Sequence, residues 1–319
     1  MILKLVSRRL LVSVLILLVV SIMVFVATLL LPGDPAQAVL GQQATPERLE
    51  ALREQMNLND PVVMRYLSWL GGLFTGNFGY SAATAGPVSA LIGERITASL
   101  VLMGIAAVIS IPVGIIVGTY SALRRGRFAD HVATTTSLVL AAMPEFVIGI
   151  VMITLFSTTV FKILPSVTLA PPGEPVWNYP LQLVLPALTL VLVVTPYIVR
   201  MMRATMIEVL DSGFVEMARL KGVPERTVIL RHAVPHALGP VAQVVAIQLA
   251  WMAGGVVVIE FLFRYPGIGQ ALVDAVSNRD VQVVQAISML IAAAYIVVNL
   301  LADIVGIATN PKLRTESAR

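Results

Sequence analysis

Few side chains in this 319-residue sequence could do chemistry by themselves. Cysteine is absent, which removes thiolate nucleophiles, disulfides and cysteine metal sites. The three histidines, His131, His232 and His236, show no metal-ligand spacing with carboxylates on one helix face, and read as interfacial packing. No Ser/His/Asp arrangement stands out, and no G-x-x-x-x-G-K-[ST] string offers a phosphate-binding loop. What remains is a set of carboxylates in apolar surroundings. Glu145 interrupts the run Val132 to Phe161 directly after Pro144. At membrane depth an ionisable group costs at least about 2.5 kcal/mol unless it faces water or a partner. Glu145 therefore reads either as a residue lining a path or as one end of an interhelical hydrogen bond beside a proline kink. Glu260 and Asp303 lie close to the ends of apolar runs, where interfacial placement is cheaper. Asp303 is expected to pair with basic side chains on its own side.

The surroundings of these carboxylates are set by composition. Hydrophobic residues make up 57% of the chain and charged ones 13%, with a mean hydropathy of +0.88. A soluble domain carries about 25% charged residues, so the solvent expected here is a lipid bilayer. Six stretches approach the length of about 20 apolar residues that a spanning helix needs. They are Leu10–Gly33, Ile96–Leu123, Val132–Phe161, Pro175–Val199, Ala237–Ile259 and Val281–Ala302. The fold class expected is all-α, a polytopic membrane protein with six transmembrane helices.

The first stretch follows Lys4, Arg8 and Arg9, and Ala36-Gln37-Ala38 resembles a cleavage site. Its apolar run exceeds the 7–15 residues or so of a signal peptide, so a retained span is expected. With the N-terminus inside, 15 of the 22 Lys and Arg residues fall on inner segments and 7 on outer ones. That imbalance favours an N-in, C-in orientation. The formal net charge of +4 thus reports topology and not a nucleic-acid partner.

Between the spans the chain divides into residues 1–33 (inner N-terminus and first span), 34–95 (an outer helical segment), 96–308 (five spans with an inner loop at 200–236) and 309–319 (an inner tail). In the outer segment Thr45 and Pro46 open one short helix, and Asp60 and Pro61 open another; the glycine-rich run 71–79 breaks the pattern. The segment reads as a cap over the outer mouth and as a docking surface. Prolines 112, 144, 186, 196 and 240 suggest bent helices around a path. Gly114 and Gly118, and the pair Gly254-Gly255, suggest close helix packing. The inner loop 200–236 carries six basic and four acidic groups. Its pattern is helix, glycine, helix: Phe214 to Leu220 can form a short helix, Gly222 can end it and Pro224 can open another.

Within that loop, Glu216-Met217-Ala218, then Gly222, then His232-Ala233-Val234-Pro235 is similar to the EAA motif of the membrane subunits of bacterial ABC importers. Met217, His232 and Val234 depart from it. Leu31-Pro32-Gly33-Asp34-Pro35, Gly76-Asn77-Phe78-Gly79, Ala218-Arg219-Leu220-Lys221-Gly222, Arg231-His232-Ala233, Tyr265-Pro266-Gly267-Ile268-Gly269 and Asn299-Leu300-Leu301-Ala302-Asp303 resemble, in order, the dipeptide, oligopeptide and nickel branch of these binding-protein-dependent permeases. The tail Asn310-Pro311-Lys312-Leu313-Arg314 resembles the family's ending less closely.

The resemblance implies a type I ABC importer permease fold and a non-catalytic subunit that forms half of a translocation path for di- or oligopeptides. Nickel, glutathione or another small solute is the alternative, and an ion-coupled carrier a more distant one. It further implies that Glu216, Met217, Ala218, Arg219 and Gly222 couple to an ATPase. Glu145 would then line the path and meet a peptide's amino terminus, and Tyr265, Pro266, Gly267 and Gly269 would form an outer gate. No cofactor is expected in this chain, since ATP and Mg would be bound by the ATPases. The implied partners are a second homologous permease, two cytoplasmic ATPases and an extracytoplasmic solute-binding protein. The implied location is the bacterial cytoplasmic membrane.

Overall fold

The structure is a computed structural model that describes residues 2–30, 34–41, 44–55, 58–171 and 173–309. Helices account for its architecture, and among the described residues the only β pairing is an isolated bridge between Tyr80 and Pro87. Among the described residues, five helices are long and apolar enough to cross a membrane: α1 (Ile2–Leu29), α5 (Val88–Leu123), α8 (Pro180–Leu210), α11 (Val234–Leu262) and α13 (Val281–Thr309). A sixth crossing is assembled from two pieces, α6 (Phe128–Ala142) and α7 (Glu145–Ile153, extended by a π-turn over Thr154–Thr158), which meet at 107°. The start of α6 pairs with Arg203 near one end of α8. Gly149 of α7 lies against Thr189 and Leu262 near the other end of the bundle, so the two halves together traverse it.

Of the five prolines expected to bend helices, four do not break theirs. Pro112, Pro186, Pro196 and Pro240 sit inside continuous helices, whereas Pro144 caps α7 at the 107° break. Its ring disfavours the helical conformation at the preceding Met143, and here Met143 is extended.

The centre of the bundle is α8. It is the most enclosed span, packing on α5, α6, α7 and α11. The Gly114/Gly118 face of α5 makes the tightest of these contacts: a Cβ at Gly114 would fall 2.6 Å from Ile198, and one at Gly118 2.7 Å from Met202. The pair Gly254-Gly255 does not behave this way. Gly254 is exposed with nothing near it, and Gly255 faces only Trp251 of its own helix.

The outer segment holds three short helices, one more than expected. The extra helix is α2 (Pro35–Leu40), whose start is capped by Asp34 accepting from the Ala36 amide at 3.0 Å. Asp34 also pairs with Arg53 of α3 (Pro46–Gln55). Thr45 caps α3 as expected, accepting from Arg48 N. The next helix, α4 (Val62–Thr75), runs on through Gly71 and Gly72 and ends at Gly76, whose φ of 74° is left-handed. Gly72 is small because the chain turns back on it: the Asn77 carbonyl would lie 2.7 Å from a Cβ there.

α1 is tied into the bundle by polar contacts as well as apolar ones. Gln285 of α13 donates to Thr28 at 2.7 Å, and Ser21 shares a 2.8 Å hydrogen bond with Tyr66 of α4. Phe25 packs on the rings of Tyr66 and Trp69.

Candidate functional site: an inner coupling element and an outer gate

The inner element is α9 (Gly213–Leu220), joined to α8 by a two-residue turn. Val215 is fully buried beneath it, and Ala218 follows on the same side. On the opposite side Phe214, Met217 and Leu220, three residues apart, are exposed by 45%, 53% and 75%. The helix ends in a Schellman turn: Val223 N donates to Ala218 O at 3.2 Å and Gly222 N to Arg219 O at 2.9 Å. Gly222 has a φ of 76° and open space around it, so backbone conformation, not crowding, selects glycine here.

Glu216 is exposed, whereas Arg219 is already engaged. Its guanidinium donates twice to Glu225 of α10 (Glu225–Thr227), at 2.7 and 3.2 Å. Hydrogen bonding to that carboxylate pushes the Arg219 pKa above its ordinary value. The arginine expected at the rim of a partner contact therefore braces the turn between α9 and α10. His236 faces Phe214 at 4.8 Å and takes a hydrogen-bonding position on the His232 carbonyl, in keeping with a packing role for His236.

Above α9 stands a buried ion pair that sequence reasoning did not single out. Arg203 of α8 donates to both oxygens of Asp130, at 2.6 and 2.8 Å. Asp130 also accepts from Ser121 of α5 at 2.5 Å and from the Gly126 amide at 2.9 Å. Five donors, the last being Thr134 of α6 at 3.5 Å, meet on one carboxylate, 3% exposed, and join three helices at the end of the bundle that carries α9. The only sequence signal was an acid placed just before an apolar run, which an interfacial residue also shows.

The residues expected to form an outer gate lie around a second buried carboxylate, Glu260. The expectation of interfacial placement fails here: Glu260 is fully buried. One oxygen accepts from Ser99 of α5 at 2.5 Å and the other from the Gly269 amide at 2.6 Å, at the start of α12 (Ile268–Ser277). Ser99 in turn accepts from the Ile268 amide at 2.9 Å. The carboxylate thus takes the position that the unpaired amides and partial positive charge of a helix N-terminus favour.

Gly267 and Gly269 are required by this arrangement. A Cβ at Gly267 would fall 2.1 Å from a Glu260 oxygen, and one at Gly269 2.4 Å from the Val257 backbone. Tyr265 is buried and donates to Ala98 O at 2.6 Å; burial, with Glu260 nearby, raises its pKa and keeps it a donor. Pro266 lines an outer cleft of about 300 Å³ together with Glu94, Arg95, Glu174 and Trp177.

A strap over residues 79–87 closes on the far end of α12. Ser81 donates to Asp280 at 2.5 Å and Tyr80 N to Gln282 at 2.5 Å, while Asp280 caps the start of α13. Gly79 is pressed against the Gln282 side chain.

Glu145 is drawn into neither network. It is half-buried, heads α7 at the break, and receives no hydrogen bond or ion pair from any described residue. The interhelical bond considered for it is not formed. The Asp303 side chain, residues Leu31 to Gly33 and the Asn310–Arg314 tail lie outside what is described.

A six-crossing all-α bundle with a short, braced, inward helix is the architecture of a transport permease subunit. The chain belongs to the family of binding-protein-dependent transport system inner membrane components, whose model matches residues 110–315. The N-terminal model of the same transport-system component matches residues 2–103. A probable peptide ABC transporter permease of Sinorhizobium fredii is 34% identical over 96% of this chain and 98% of its own length. A putative peptide transport system permease of Brucella abortus is 35% identical over 97% and 98%. A glutathione transport system permease of Escherichia coli K12 is 33% identical over the same shares. The resemblance carried by the motifs therefore holds: this is a multi-pass inner-membrane subunit with the type I ABC importer permease fold, working in a complex with other subunits.

Proposed function

We propose that this chain forms half of the translocation path of an ATP-driven peptide importer and catalyses no reaction itself. The observation that carries the coupling role is the α9 surface. Phe214, Met217 and Leu220 expose an apolar stripe on an element that projects beyond the bundle, with Val215 holding its other side to the protein. Such a stripe in water is stabilised by burial against a partner. The Schellman turn at Gly222 and the Arg219–Glu225 pair make the element stiff enough to pass on rigid-body motion. The proposed occupant of that surface is one of two cytoplasmic ATPases, which would bind the ATP and Mg; a second homologous permease and an outside solute-binding protein complete the assembly.

Peptide as the substrate class is supported by the names of the Sinorhizobium and Brucella relatives. Glutathione, named for the Escherichia relative, is the second reading. Glu145 supports either one. A half-buried carboxylate without a partner among the described residues, at the break of a crossing, is placed to meet a cationic amino group in a water-filled path.

The test is Leu220→Asp in the complete transporter. Expected is normal membrane insertion, loss of the ATPase from the purified assembly and loss of peptide uptake. Retention of the ATPase with unchanged uptake would reject α9 as the contact.

A further inference from the structure

A groove runs along the outside of the bundle between α1 and α13, and its lining changes character from one end to the other. At the end where α1 begins, Arg8 and Arg9 meet Tyr295 and Asn299 around a cavity of about 710 Å³. Higher along the same pair of helices a second cavity, about 350 Å³, is almost wholly apolar. The two share Ile16, Tyr295 and Ile296, so they form one continuous channel along the helix axes. Its head is basic and hydrogen-bonding, and its body is bounded by Val20, Ile291 and Ala292.

We infer that this groove binds one anionic phospholipid, with the phosphate headgroup at Arg8 and an acyl chain lying along Ile16, Ile296 and Ala292. Charge complementarity selects the headgroup. Arg8 is exposed at the membrane-surface end of α1, where a guanidinium can hold a phosphate by two hydrogen bonds. Basic pockets between spanning helices on the side with excess Lys and Arg have the chemistry that anionic headgroups require. The apolar body selects a chain: a soluble phosphate would leave it empty, and a peptide would bring backbone amides that nothing there satisfies. α1 is otherwise lightly held, being the least enclosed of the spans, and touches the rest of the bundle mainly through α13 and α4. A lipid in this seam would splint α1 to α13.

The test uses the assembled transporter in nanodiscs of phosphatidylcholine and phosphatidylglycerol, with retained lipid read by native mass spectrometry. Expected is a phosphatidylglycerol that stays bound and that falls by about fivefold in Arg8→Gln, the change that one basic side chain near the membrane surface produces. Ala292→Trp, which fills the body of the groove without touching its charge, should release the same lipid. Equal retention in all three proteins would overturn the assignment. So would a photo-crosslinker at Ile296 that labels a second permease chain in place of lipid.

Discussion

The two ends of the bundle are each organised around a buried carboxylate, and the two carboxylates are held in different ways. Asp130, at the end near α9, faces a cation that grips both its oxygens, with three further donors behind it. Glu260, at the gate, has no salt bridge among the described residues; a serine hydroxyl and a helix-start amide hold it. Breaking a buried ion pair costs more than releasing neutral donors, because it strands a charge of each sign. If α9 couples to an ATPase as proposed and residues 265–269 gate the outer mouth as the motif resemblance implies, the difference suits two mechanical jobs. The inner clamp joins α5, α6 and α8 into one body that can pass on what α9 receives. The outer latch holds α12 by contacts that a conformational change can exchange for water.

That contrast can be broken by substitution, and the largest effect is expected at the clamp. Asp130→Asn removes the anion but leaves the partly buried Arg203 facing a neutral amide, which should destabilise the protein by about 3 kcal/mol, the low end of the cost of breaking a buried pair. Thermal unfolding in detergent would show the loss, and Asp130→Asn combined with Arg203→Met should recover much of it. If the single variant is as stable as the parent, the clamp is not a structural joint.

At the latch, Glu260→Gln keeps the shape and one acceptor while turning an amide N–H towards donors already present. A cost of about 1.5–3 kcal/mol is expected, confined to α12 and visible as faster hydrogen exchange over residues 268–277. Equal acceleration across the whole bundle would contradict a local latch. The smallest effect is expected at the end of α9. Gly222→Ala must place a Cβ at a φ of 76°, at a cost of about 1–2 kcal/mol, with nothing to clash against. Association with the ATPase should weaken while the melting curve of the bundle stays put; an unchanged affinity would show that the Schellman turn is not needed.

How much of this was legible beforehand depended on whether a feature is local. The helix, glycine, helix pattern of 213–225 needs only neighbours in the chain, and the left-handed Gly222 and Pro224 at the start of α10 stand where the sequence places them. Span positions were legible because length and lack of charge suffice, although α5 starts at Val88, ahead of the apolar run at Ile96. Glu260 was misread. Its surroundings come from residues 99 and 269, and a buried carboxylate with distant partners looks in sequence like an interfacial one. Asp130 went unremarked for the same reason, since Arg203 lies 73 positions away. Pro144 alone breaks its helix because there an extended Met143 precedes the ring, whereas the other prolines sit in helices held by packing on α8 and its neighbours.

If the exposed side of α9 seats an ATPase, as proposed, a cysteine placed on it must meet that subunit. The chain has no cysteine, so Met217→Cys gives a single reactive site on that stripe. Mild oxidation of the assembled transporter, with one cysteine introduced in the ATPase surface beneath it, is the direct measurement. A disulfide between the two subunits is expected at Met217→Cys and none at Val215→Cys, which faces the protein's own interior. Cross-linking at neither position, with uptake intact in both variants, would contradict it.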